Sequence, residues 1–257
     1  MKIQKKNVIL LTSLTAVFAV AISVYSSLQS STYLVQTVEV IDPLAGEREK
    51  ESPVSSQTII DLAAVPLGKV SLFSLDLDKV EERILSHPWI REVQLTKRFP
   101  GTLSVSVVFR DPKALIQRDN GSLAYVDSNG KVFGSLNLRA QPDLPMIEGV
   151  AESNANQVRD ALSVVKSWES SSISPRAELA SITYSESSGY RAHIKGASLV
   201  QPTLWLGKNL VQDGETLDDR FGRMSQVLDY LQRHNIPARQ IRADIGKKIV
   251  VKIARGS

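Results

Sequence analysis

The sequence predicts an α+β protein: an apolar N-terminal helix, then a β-α-α-β-β unit, then a mostly antiparallel β-sheet domain with two helices. Three observations carry this. No charged residue occurs from Asn7 to Val38. Leu103, Val105, Val107 and Phe109 alternate with Ser104, Ser106 and Val108, the period of two that buries one face of a strand. Two stretches with a 3.6-residue apolar period, 156–168 and 216–233, lie among short alternating runs.

The bulk numbers set limits. The chain has 257 residues, 42% hydrophobic and 23% charged, room for one or two domains with real cores. It has no cysteine, which excludes disulfides, thiolate catalysis and cysteine-ligated zinc. The net charge of +4 invites a nucleic-acid reading, but Lys2, Lys5 and Lys6 precede the apolar segment. Without them 28 basic residues face 27 acidic ones, and no basic stripe interleaved with aromatics is visible.

Val8 to Tyr25 is an apolar run of 18 residues. As a helix it spans roughly 27 Å, close to the hydrocarbon thickness of a bilayer, and Ser26 to Leu28 extend it. Lysines lie only on its N-terminal side, so the positive-inside rule leaves residues 1–7 as a cytoplasmic tail, 8–28 as a single transmembrane helix and the remainder outside. A cleaved signal peptide also has a basic start and an apolar run. This run is longer than a usual signal core, and no clear small-x-small site follows it, which favours a retained anchor.

Thr37 to Ile41 reads as a strand, and Asp42 to Pro53 as a loop. Ser55 or Ser56 caps a helix through Ala64 with Ile59, Ile60 and Ala63 inward, and Pro66 to Ser71 breaks it. Asp78 with Glu81 resembles a capping box. The following helix runs to about Ser86, with Val80, Ile84 and Leu85 as its apolar face. His87-Pro88 ends it, because the residue before proline avoids the α region. Two strands follow around Pro100-Gly101, a corner in which glycine would tolerate a positive φ.

Beyond Pro112 the strand candidates are 114–117, 123–126 and 131–133, separated by Asn120-Gly121 and Asn129-Gly130. A loop bracketed by Pro142 and Pro145 leads to Glu148-Gly149. The helix at 156–168, a turn at 170–175 and strands at 179–185, 190–194 and 203–206 come next. The helix at 216–233 and two strands around Gly246, 240–244 and 247–253, close the chain.

Several of these pieces resemble the FtsQ/DivIB family of bacterial division proteins. They are His87-Pro88-Trp89-Ile90, Lys97-Arg98-Phe99-Pro100, the strand Leu103 to Phe109 and Arg110-Asp111-Pro112. Tyr125-Val126-Asp127 followed by Gly130-Lys131-Val132-Phe133, Leu144 to Gly149, Leu206-Gly207-Lys208, and Arg220 with Arg223 continue the pattern in order. Arg242-Ala243-Asp244-Ile245 stands where the family has Asp-Leu-Arg, and Phe109-Arg110-Asp111-Pro112 stands where the family has Glu-Arg-x-Pro, so that its Glu is replaced. The resemblance implies a POTRA domain over 34–111 and a β domain over 112–257. It further implies an inner-membrane, single-pass scaffold at the division septum that binds FtsB-like and FtsL-like partners, touches other divisome membrane proteins and helps control septal peptidoglycan synthesis.

The run Lys247, Lys248, Ile249, Val250, Val251, Lys252 and Ile253 reads two ways. As a final strand it either carries lysines that protect an edge from aggregation, or accepts a partner's strand by β-augmentation. The resemblance favours the second, with Ile245, Lys208, Arg220 and Arg223 as further partner contacts. No catalytic, cofactor or metal residues are expected. His87, His193 and His234 lie far apart, and no phosphate-binding loop or nucleophile elbow occurs. Arg118-Asp119 and Asp218-Asp219 read as solvated turn or helix-start charges, and Trp89 as core. One rival is a POTRA-containing transport or outer-membrane assembly component, which calls for tandem POTRA units or a barrel. Another is an anchored periplasmic hydrolase, which calls for a convergent nucleophile-base or metal set.

Overall fold

The computed structural model describes residues 17–24, 33–41, 53–136, 142–196, 202–211 and 214–253. Helix α1 occupies residues 17–24, where Val17, Phe18, Val20, Ile22 and Val24 are exposed. The rest of the expected span over 8–28 lies outside the described residues. Among those described, no helix is long and apolar enough to cross a membrane. The chain divides into two units, Met1–Arg110 and Asp111–Ser257.

In the first unit the order is β1 (Thr37–Ile41), α2 (Ser56–Ala63), α3 (Leu77–Leu85), β2 (Ile90–Arg98) and β3 (Thr102–Phe109). Strand β3 lies in the middle, parallel to β1 and antiparallel to β2. Its alternation explains this position: Leu103, Val105 and Val107 are buried in one cluster with Ile59 and Ala63 of α2 and Val80 and Ile84 of α3. Each such aliphatic side chain stabilises the fold by roughly 1.5–3 kcal/mol when fully buried.

The helix ends are satisfied locally. Ser55 Oγ accepts the Thr58 amide, and Asp76 accepts the Lys79 amide. The second helix therefore begins two residues earlier than the Asp78–Glu81 pattern suggests, because Asp76 already reaches the third amide of the helix. Its carboxyl is held below the usual range by the hydrogen bond from the Lys79 side chain and then from the Lys79 amide. Helix α2 has no basic residue in its last turn. Arg83 of α3 supplies the charge, donating from Nη2 (2.6 Å) and Nε (3.2 Å) to the Ala63 carbonyl.

Three expectations are corrected here. Leu85 is exposed, since the inward stripe uses Val80 and Ile84. Trp89 is half-buried at the rim of the core. Gly101 does not have a positive φ. A Cβ there would lie 2.7 Å from the Leu34 carbonyl oxygen, so the glycine permits close passage of the chain entering β1.

Among its described residues the second unit is one nine-stranded sheet with two helices. Its strands are β4 (Pro112–Gln117), β5 (Leu123–Asp127), β6 (Val132–Phe133), β7 (Met146–Glu148), β8 (Glu178–Ser185), β9 (Gly189–Lys195), β10 (Thr203–Gly207), β11 (Ala238–Ile245) and β12 (Lys248–Ile253). Their spatial order is β12-β11-β10-β9-β8-β7-β4-β5-β6. Five neighbouring pairs are antiparallel; β4–β7, β7–β8 and β10–β11 are parallel.

Parallel neighbours need a long crossover. Helix α4 (Ala155–Glu169) joins β7 to β8, and α5 (Leu217–Arg233) joins β10 to β11. Val158, Ala161, Leu162, Val165 and Trp168 of α4 share a core with Leu217, Phe221, Met224 and Leu231 of α5 and with Ala192, Ile194, Leu204, Leu206 and Ile241 of the sheet. Trp168 meets Phe221 edge-on, centroids 5.7 Å apart. The two Asn-Gly turns form as expected, with Gly121 and Gly130 at φ of 81° and 83°. Asp127, buried, accepts the amides of Asn129 and Lys131 through Oδ1 and so fixes the second turn. Strand β7 forms where the sequence predicts a loop, because three residues after a proline offer no alternation to see.

Candidate partner-binding edge

Among the described residues strand β12 has one neighbour, β11, and so forms an edge of the nine-stranded sheet. The two are joined at Gly246-Lys247, with Gly246 at a φ of 56°, the conformation that a two-residue hairpin turn needs. Register pairs Gln240 with Lys252, Ile241 with Val251 and Arg242 with Val250. Ile249 and Val251 turn toward the core, where Val227, Leu228 and Ile236 also pack. Lys248, Val250 and Lys252 are exposed, as are Lys247, Ile245 and Ile253. Val250 and Ile253 show 45% and 56% of their surface. The strand thus presents apolar side chains, lysines and one free row of main-chain groups together.

The remaining residues named from sequence divide. Lys208 is exposed just beyond Gly207. Gly207 lies so close to Asp244 that a Cβ there would come within 2.9 Å of the Asp244 Cβ, which brings Lys208 beside the Ile245 end of β11. Arg220 is different: its side chain is 2% exposed. Nη1 donates to the carbonyls of Leu206 (2.7 Å) and Asn209 (3.1 Å), and Nε lies 3.6 Å from Glu215. It ties the start of α5 to the end of β10, a role inside the fold and away from the exposed edge. Arg223 is half-buried and ion-paired with the same Glu215.

These arginines are positioned by the helix start. Thr216 Oγ1 accepts the Asp219 amide at 3.2 Å, and Asp219 Oδ2 accepts the Thr216 amide at 3.0 Å, a reciprocal capping box. The Thr216 amide and hydroxyl hold the Asp219 carboxyl below its ordinary range. Asp218 and Asp219 thus also place negative charge at the positive end of the helix dipole.

The sequence reading missed a cross-strand stack on the sheet face opposite the helices. Trp205 lies between Arg191 and Arg242, whose guanidinium carbons are 5.4 and 5.0 Å from its ring. Register makes these three neighbours, Trp205 being paired with Arg191 on one side and Arg242 on the other. Arg242 donates to both carboxylate oxygens of Asp244, at 3.0 and 2.7 Å. That hydrogen bonding lowers the Asp244 pKa and raises that of Arg242, so the pair stays ionised. His193 is shifted down, first by burial and then by the Arg191 charge. Among the described residues no cluster of three or more metal-ligating side chains gathers.

Comparison with known proteins gives the same picture for both units. The profile of the POTRA domain of FtsQ type matches residues 51–108. That of the C-terminal part of cell division protein FtsQ/DivIB matches residues 114–244, half of the chain. The cell division protein FtsQ of Geobacter sp. (strain M21) is 32% identical over 145 residues, covering 53% of this chain and 52% of that protein. That of Geotalea daltonii is 40% identical over 98 residues, 38% of this chain and 34% of its own length. That of Syntrophotalea carbinolica is 33% identical over 141 residues, 54% and 46% respectively. The chain thus spans about half or less of the length of these relatives. With both profiles falling in order on the two structural units, the chain belongs to the FtsQ/DivIB family of cell division proteins.

Proposed function

We propose that this protein is a non-enzymatic scaffold of the division machinery, held at the inner membrane by a helix over 8–28 and placed at the septum. Residues 1–7 lie in the cytoplasm; a POTRA domain over 34–111 and a β domain over 112–257 lie in the periplasm. It links early and late division proteins by holding FtsB-like and FtsL-like partners and thereby helps control septal peptidoglycan synthesis. The anchor confines it to a surface and raises its effective concentration toward other anchored partners.

The observation that carries the reading is the open edge of β12. An edge strand adds a partner's strand through main-chain hydrogen bonds, and its side chains choose the sequence. Here Lys247, Lys248 and Lys252 give the edge a positive character, which suits a partner strand rich in acidic residues. Val250 and Ile253 supply apolar contact. Lys208 and Ile245 extend the surface at the hairpin end, and Arg223 adds charge behind it. Arg220 contributes indirectly, by fixing the loop from which Lys208 projects.

Proline scanning of the edge tests this. Along an antiparallel edge strand, successive amides point alternately into the sheet and out of it. Of Val250→Pro and Val251→Pro, the one whose amide points outward keeps the fold. That variant should lose at least tenfold in affinity for an FtsB-like and FtsL-like pair. Unchanged affinity in a variant with an unchanged melting temperature would count against strand addition. A fluorescent fusion should collect at the septum, and uniform envelope fluorescence in dividing cells would count against the division role.

A further inference from the structure

We infer that the turn end of the first unit, where the rings of Tyr33, Phe73 and Phe99 meet, seats on the phospholipid headgroup layer of the membrane that anchors the chain. This rests on the anchor proposed above. The three rings come from segments distant in sequence. Their centroids are 5.2 Å apart for Tyr33 and Phe73, 4.9 Å for Phe73 and Phe99 and 6.2 Å for Tyr33 and Phe99. Despite packing on one another, Phe73 and Phe99 remain 46% and 54% exposed. Leu67 is also exposed, on the loop whose Gly68 amide donates to the Val35 carbonyl.

The rings cannot withdraw, because their backbones are tied together. The Leu72 amide donates to the Tyr33 carbonyl (2.9 Å), Val35 to Val70 (2.9 Å) and Gln36 to Gly101 (2.8 Å). Ser71 Oγ also accepts the Phe73 amide at 3.3 Å. The close approach of Gly101 to Leu34 locks the third segment. The fold therefore holds an aromatic cluster outward in three separately fastened turns.

Chain length decides what meets it. The apolar run ends at Leu28, and Tyr33 follows five residues later. Five extended residues reach at most about 18 Å. The headgroup layer is itself about 5–8 Å thick on each side of the hydrocarbon. The Tyr33 ring is thus tethered within reach of that layer, and the two phenylalanines travel with it. Aromatic side chains favour this zone, where a ring meets apolar and hydrated surroundings at once. Lys69 on the adjoining loop adds positive charge suited to lipid phosphates, whereas Arg98 beside Phe99 is paired with Glu39 at 3.2 Å.

The absence of cysteine allows single-site labelling of the full chain. Ser74→Cys places a fluorophore beside Phe73. Glu92→Cys, whose residue pairs with Val108, places one at the far end of the sheet, roughly 23 Å along β2 from Phe99. Both are read in phosphatidylethanolamine–phosphatidylglycerol vesicles containing headgroup-spin-labelled lipid. The Ser74→Cys probe should be quenched at least twofold more than the Glu92→Cys probe. Adding Phe73→Ser and Phe99→Ser should abolish the difference while the chain resists carbonate extraction. Equal quenching in a chain that resists extraction overturns the inference and leaves the anchor standing. Shielding of the Ser74→Cys probe from aqueous iodide without lipid quenching assigns the rings to a protein partner or a second copy, and also overturns it. Release by carbonate overturns the anchor itself.

Discussion

Replacing Arg220 by methionine should destabilise the C-terminal unit far more than any substitution on its exposed edge. Methionine keeps much of the volume but removes the guanidinium that donates to the Leu206 and Asn209 carbonyls. Each hydrogen bond from a charged donor is worth about 1.5–3 kcal/mol, and the Leu206 carbonyl left behind is buried. Glu215 also loses one of its two arginine neighbours. Breaking one partner out of a buried charged set costs about 3–5 kcal/mol, and the two hydrogen bonds sum to the same range. For a unit of this size that is a fall of roughly 10–15 °C in melting temperature. Arg220→Lys should recover little, because one ammonium cannot reproduce the two-pronged geometry. The assay is urea unfolding followed by tryptophan fluorescence in a Trp89→Phe background, which leaves Trp168 and Trp205, both in the second unit, as reporters. A change below about 0.5 kcal/mol, the scale of ordinary surface substitutions, would refute the internal role of Arg220.

Other expectations follow from local geometry. Gly189 has a φ of 72°, and a Cβ there would collide with the Gly207 carbonyl, whereas Gly214 has a φ of 74° with open space around it. Gly189→Ala should therefore cost more than ~2 kcal/mol in thermal or urea unfolding, and Gly214→Ala only the ~1 kcal/mol of left-handed strain. Equal costs would mean that the close passage of β9 and β10 is not what selects glycine. The Asp244 carboxyl titrates below its unfolded value because of Arg242. Its contribution is thus complete above about pH 4 and is lost as pH falls through the lowered folded value. The stability gap between the parent chain and Asp244→Asn should be largest near neutrality and should shrink as pH falls below the unfolded value of about 4, as measured by urea unfolding across pH. A gap that stays constant would contradict the ion pair.

Most elements were legible because local chemistry names them. The Asn-Gly turns, the capping Ser55, and the apolar stripes of α4 and α5 each follow from a few neighbouring residues. What was not legible depends on contacts distant in sequence. No local period reveals that β7 pairs parallel with both β4 and β8. The stack of Arg191, Trp205 and Arg242 exists only once three strands are in register. Arg220 and Arg223 look alike in sequence, yet one is buried and held by the Leu206 and Asn209 carbonyls while the other is half-buried, a distinction set by one helical turn. Gly101 was read for its own φ, but its reason is the Leu34 carbonyl sixty-seven positions earlier. The lysine-rich end of the chain was legible as a strand, and its position at an edge came from the strand order alone.

The central claim, that the edge of β12 takes a partner's strand, is tested most directly by amide hydrogen exchange. The full chain in detergent or nanodiscs would be measured alone and with an FtsB-like and FtsL-like pair. The account predicts that binding slows exchange chiefly across Lys248 to Ile253, where outward amides gain acceptors. Tight binding that leaves this strand's exchange unchanged, with protection confined to other elements, would contradict it.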